Sequence, residues 1–139
     1  MIILDTNVLS ELMKPGPALQ VSTWVTKQSV RELFTTCINE AEIFYGIEIL
    51  SKGKRRESLL AAAEILFAQD FAGQVFNFES DAARAYSRIV ASRRTLGRPI
   101  GHADAQIAAI ARASGAVLAT RNTSDFAECG LQLVNPWMD

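Results

Sequence analysis

The tightest constraint on this chain is an alternation between short apolar runs and longer segments whose apolar residues recur at helical spacing. Ile2-Ile3-Leu4, Leu33 to Thr36, Gln74 to Phe78, Ala116 to Thr120 and Leu131 to Val134 are too short for helices and read as strands. Between them, Val21, Trp24 and Val25 share a helical face, as do Leu59, Ala63, Leu66 and Phe67. Ala82, Ala85, Tyr86, Ile89 and Val90 mark another helix, and Ala103 to Ala113 a further one. A helix after Thr36 would carry Ile38, Ala41, Tyr45 and Ile49 on its apolar face. Thr36 and Ser80 stand where caps are needed, while Lys14-Pro-Gly-Pro17, Ser51-Lys-Gly-Lys54 and Gly97 with Pro99 supply breaks. Strands separated by helices predict an α/β fold with a mostly parallel sheet.

At 139 residues, 49% of them hydrophobic, the chain suffices for one core, and it holds no repeat or linker; a single domain over 1–139 is expected. No apolar run approaches the ~20 residues of a membrane span, and Asp5 interrupts the amino terminus before a signal-peptide core could form. A cytoplasmic location is expected. Cys37 and Cys129 form no Cys-x-x-Cys and His102 is the sole histidine, which excludes zinc-finger, haem and Ser/His/Asp patterns; both thiols read as packing residues.

In an open parallel sheet, ligands bind beyond the carboxyl ends of the strands. Asp5 follows the first strand directly, and Thr120-Arg121-Asn122 follows the fourth. Each has a simpler explanation as a helix cap. Glu42 is harder to dismiss, because it falls on a helix face that is otherwise apolar, and a buried carboxylate needs a cation or donors. Asp104 enters an Ala-rich helix start, where the simpler reading is a first-turn acid facing the helix dipole. Were Asp5, Glu42 and Asp104 to converge, each pair at ~5 Å would repel by about 3 kcal/mol at an effective dielectric near 20. A hard divalent cation turns that repulsion into attraction, and all-oxygen ligands suit Mg2+ or Mn2+ rather than zinc or copper.

Five ordered segments now carry a resemblance: Met1-Ile-Ile-Leu-Asp5-Thr-Asn-Val8, Ile38-Asn-Glu-Ala-Glu42 leading to Tyr45-Gly46, Ala103-Asp104-Ala-Gln-Ile107, Ala119-Thr-Arg-Asn122-Thr-Ser-Asp125-Phe126, and Asn135-Pro136-Trp137. Together they resemble the PIN-domain family, and within it the VapC and FitB type of bacterial toxin. The resemblance implies a three-layer fold and a metal-dependent endoribonuclease, the toxin of a toxin–antitoxin pair, silenced by a cognate antitoxin protein and homodimeric. By position it makes Asp5, Glu42 and Asp104 metal ligands and Thr6, Asn7 and Thr120 supporting residues. The family's fourth acidic position falls on Asn122, which brings a carbonyl oxygen without charge. Asp125, three residues on, either substitutes for it or caps the turn near Phe126.

The net charge of −1 conceals local surpluses. Lys52, Lys54, Arg55 and Arg56 cluster within five residues, and Arg84, Arg88, Arg93, Arg94 and Arg98 occupy an acid-free run. Both surpluses could contact RNA phosphates; the plainer alternative is solvated surface. Two other functional classes stand against the ribonuclease: a catalytically inactive RNA- or partner-binding protein of the same fold, and a phosphoaspartate receiver or phosphatase. The last fits poorly, because Asn7 and Arg121 stand where that chemistry wants Asp and Lys.

Overall fold

The computed structural model describes residues 1–139. Strands β1 (Ile2–Leu4), β2 (Leu33–Thr36), β3 (Val75–Phe76), β4 (Val117–Ala119) and β5 (Leu133–Val134) form one sheet in the order β3-β2-β1-β4-β5, every pairing parallel. Six α-helices connect and flank them: α1 (Thr6–Leu12), α2 (Leu19–Thr26), α3 (Cys37–Glu48), α4 (Lys54–Ile65), α5 (Ser80–Thr95) and α6 (His102–Ser114). The expected α/β architecture is present, in three layers.

Period-two alternation distributes the core. Ile3 and Leu118 pack with Ala85, Ile89 and Ile107 of α5 and α6, whereas their neighbours Leu4 and Ala119 pack with Val8, Val21, Ile43 and Ala63 of α1 to α4. The chain leaves β1 toward β2 and β3, then crosses back to β4 on the other side of β1. That reversal opens a crevice between the carboxyl ends of β1 and β4, where the residues after each strand face one another. Gly115, in the left-handed region at φ 69°, ends α6, and the Ala116 N–H donates to the Ala111 carbonyl as the chain turns into β4.

Four local expectations are corrected. β3 and β5 are two residues each, shorter than the Gln74–Phe78 and Leu131–Val134 runs, because both lie at sheet edges with one neighbour. Ser80 is not a side-chain cap; α5 starts there after an uncapped Glu79. In α3 the buried positions are Asn39, Ile43 and Ile47, while Ala41, Tyr45 and Ile49 face solvent. The face turned inward is the one that meets α1 and α4, and this choice was not encoded in the spacing of apolar residues alone.

Candidate active site

Asp5 ends β1 and caps α1, its Oδ1 accepting the Thr6 N–H at 2.9 Å. It does more than cap. Only 5% exposed, it also accepts Asn39 Nδ2 at 3.1 Å on Oδ1 and the Thr120 hydroxyl at 2.7 Å on Oδ2. Thr120, fully buried at the end of β4, donates that one proton and accepts from Asn7 Nδ2 at 3.3 Å and from the Asn122 N–H at 3.1 Å, so its hydroxyl is saturated.

On the β2 side the same logic runs through a residue that sequence reasoning had left without a role. The Thr36 hydroxyl caps α3, accepting from the Ile38 and Asn39 N–H groups, and donates to Asn39 Oδ1 at 2.6 Å. That bond fixes the amide of Asn39, whose Nδ2 then reaches both Asp5 and Thr6 Oγ1, the latter at 3.0 Å. Thr6 in turn donates to Glu42 Oε1 at 2.7 Å. Each hydroxyl and amide has one direction it can point, and no buried side-chain polar atom lacks a partner. Asn39 stands three residues after the cap Thr36, a position that does not by itself mark it as part of the site.

Asp104 lies in the first turn of α6 and is half-buried, with no hydrogen-bond partner from the protein side chains. Its carboxyl is pushed up to about 6 from the ordinary 3.8, mainly by burial and then by the charges of Asp5, Glu42 and Asp125, against a smaller opposing pull from Arg93. Burial likewise raises Asp5, although its three donors and the field of Asp125 act in opposite senses upon it. Asp104 thus lies within the field of Asp5, Glu42 and the exposed Asp125, and Asp5 within that of Asp125. Asp125 sits in a 3-10 turn, Thr123–Phe126, preceded by Asn122; neither side chain caps that turn. The capping alternative for Asp125 is thus set aside, and its charge is felt at both Asp5 and Asp104. Asn122 is exposed, and only its backbone joins the network.

No three Asp, Glu, His or Cys side chains close into a ready metal site. The donor set nevertheless fits a hard cation. It is all oxygen, it carries excess negative charge, and Asp104 holds its oxygens free of protein donors.

The basic residues divide. Lys52, Lys54 and Arg94 are exposed, and Arg55, also exposed, lines a groove of about 300 Å³ together with Thr6, Glu42 and Ile47. Arg56 is engaged with Glu48 at 3.2 Å. Arg93 corrects the expectation of a surface contact: it is 5% exposed, and its guanidinium donates to the carbonyls of Arg98, Asp125 and Ala127 at 2.7 to 3.0 Å. It fastens the turn that carries Asp125 and is not available to a phosphate.

The family model described as PIN domain matches residues 2–130. The VapC ribonuclease Y4jK of Sinorhizobium fredii is 42% identical over 99% of this chain and 98% of its own length. Toxin FitB of Neisseria gonorrhoeae is 34% identical over 100% of both. Among solved structures, FitAB bound to a DNA fragment superposes with a TM-score of 0.92 at 33% identity, covering 100% of this chain and 97% of that one. With five parallel strands, carboxylates gathered at the β1/β4 crevice, and likeness to these proteins over its full length, the chain belongs to the PIN domain family.

Proposed function

We propose that this chain is a metal-dependent endoribonuclease and the toxin of a toxin–antitoxin pair. The observation that carries the reading is the gathering of Asp5, Glu42, Asp104 and Asp125 at one end of the sheet, close enough that three charges act on Asp104. Such an arrangement carries a mutual repulsion at neutral pH that a cation relieves, and Mg2+ or Mn2+ matches its oxygen donors. Asp5, Glu42 and Asp104 would hold the ion, with Asp125 contributing the charge that Asn122 lacks. When bound, the ion supplies a water of lowered pKa and neutralises charge at the scissile phosphate.

The protein's own part is pre-organisation. Asn39, Thr6 and Thr120 occupy the inward lone pairs of Asp5 and Glu42 and so aim the remaining ones into the crevice. Lys52, Lys54, Arg55 and Arg94 would contact phosphates of the RNA, which is met in the cytoplasm. Similarity to a VapC ribonuclease supports the reaction class, and similarity to FitB as found in FitAB supports a protein antitoxin. The exposed Tyr45 and Ile49, one turn apart on α3, favour a protein partner on that face, the antitoxin or a second copy in a homodimer.

The test is cleavage of single-stranded RNA by the purified protein in Mg2+, in Mn2+ and in EDTA, beside Asp5→Asn. Cleavage that needs metal and Asp5 is expected. Cleavage undiminished in EDTA would exclude the metal role, and RNA binding with no cleavage under any condition would favour the inactive binding protein.

A further inference from the structure

A site built of four acids repels the polyanion it has to bind, so a cation fixed at its rim is needed; one is present that the basic clusters do not include. Arg121 follows Thr120 at the carboxyl end of β4 and precedes Asn122. Its backbone is pinned from two sides: the N–H donates to Asn7 Oδ1 at 3.2 Å, and the carbonyl accepts from Asn135 Nδ2 at 3.5 Å. Its guanidinium carbon lies 4.8 Å from the centre of the Trp137 ring. The backbone that carries the ring is itself held. Asn135 Oδ1 accepts the Trp137 backbone N–H at 2.9 Å, and the Asn135 N–H donates to Asp139 Oδ2 at 2.7 Å, folding the carboxyl terminus into a turn.

The side chain of Arg121 is exposed and makes no ion pair. Its charge is felt at Glu11, whose carboxylate is already taken by Lys14 Nζ and the Ala18 N–H at 3.0 and 2.9 Å. A guanidinium held over an indole leaves N–H donors available, and its fork matches a phosphate in bidentate fashion. Trp137 also lines a groove of about 530 Å³ with Trp24 and Lys27.

We infer that Arg121, held on Trp137, is a substrate-binding residue that grips a backbone phosphate of the RNA flanking the scissile bond, with Trp137 as its positioning residue. The inference rests on the ribonuclease reading. It is tested by fluorescence anisotropy of a labelled single-stranded RNA in magnesium, with Asp104→Asn as the non-cleaving parent, titrated across KCl concentrations. Arg121→Ala should lose about tenfold or more in affinity at low salt, the worth of a hydrogen-bonded charge. The slope of log K against log salt should flatten by about 0.7, one phosphate contact on a single strand. Arg121→Lys should keep the slope and recover only part of the affinity. Trp137→Leu should weaken binding without flattening the slope, and Trp137→Phe, which keeps an aromatic face under the guanidinium, should restore it. Urea midpoints of all variants should match the parent's. An Arg121→Ala protein, or Arg121→Gln if that variant is unstable, that binds with parental affinity and slope overturns the inference alone. A parent that binds no RNA overturns the ribonuclease reading with it.

Discussion

Asp104→Asn should stabilise the metal-free protein, and the structure gives the size and pH dependence of the gain. The Asp104 carboxyl titrates at about 6 in the fold against 3.8 as its ordinary value. Two units correspond to ~3 kcal/mol in full, which solvent screening at a half-buried position reduces to about 1–2 kcal/mol. Because the folded pKa is raised, the native state keeps a proton that the unfolded chain has released between pH 4 and 6. Stability is therefore unpenalised below the unfolded value and falls as pH rises through the folded one. The variant has no such proton. In EDTA its unfolding free energy should match wild type near pH 4 and exceed it by about 1–2 kcal/mol at pH 7.5, read from urea denaturation with m held in common. Magnesium at a hundredfold excess over its dissociation constant should then add ~2.7 kcal/mol to wild type and less to the variant. A first-turn acid that merely served its helix would behave otherwise. If Asp104→Asn loses a similar amount of stability with and without magnesium, or if the two pH profiles run parallel, the repulsion argument is wrong.

Asp5→Asn should abolish cleavage as well, yet destabilise by about 1–2 kcal/mol in EDTA, because an amide nitrogen would face the saturated Thr120 hydroxyl and leave its proton without an acceptor; a variant as stable as wild type would refute that account. Arg93→Met removes the donors to three carbonyls and should cost about 3 kcal/mol or more in urea unfolding, while the salt slope of RNA binding by its folded fraction stays unchanged. Replacing Lys54 and Arg55 together by Ala should flatten that slope without moving the urea midpoint, since both are exposed and unpaired; an unaltered slope returns them to ordinary surface. Asp125→Asn should lower the pKa of Asp104, measured by carboxyl NMR titration, and reduce cleavage; an unshifted Asp104 would remove Asp125 from the site.

What the sequence determined by itself was everything governed by short-range pattern. Strand and helix alternation specifies a parallel sheet, since parallel neighbours require crossovers, and that sheet makes its carboxyl ends the place to look. Asp5 and Thr120 were legible for this reason: each follows an apolar run at once. Asp104 and the metal expectation came from carboxylates in apolar company; the apolar face assigned to Glu42 proved to be solvent-facing at Ala41, Tyr45 and Ile49, so Glu42 rested on the resemblance of the ordered motifs. Tertiary structure decided which polar groups meet. Asn39 bonds Asp5 and Thr6 from more than 30 positions away, through an orientation imposed by Thr36, and no local pattern separates such an asparagine from an exposed one. Arg93 shares its run with the exposed Arg94 and differs only in which way α5 turns it, toward carbonyls at Asp125 and Ala127 that the chain reaches much later. The inward face of α3 was likewise chosen by contact with α1 and α4. A periodic pattern states that a helix has faces; burial energies summed over distant neighbours determine which face is inside and which charge is left unpaired.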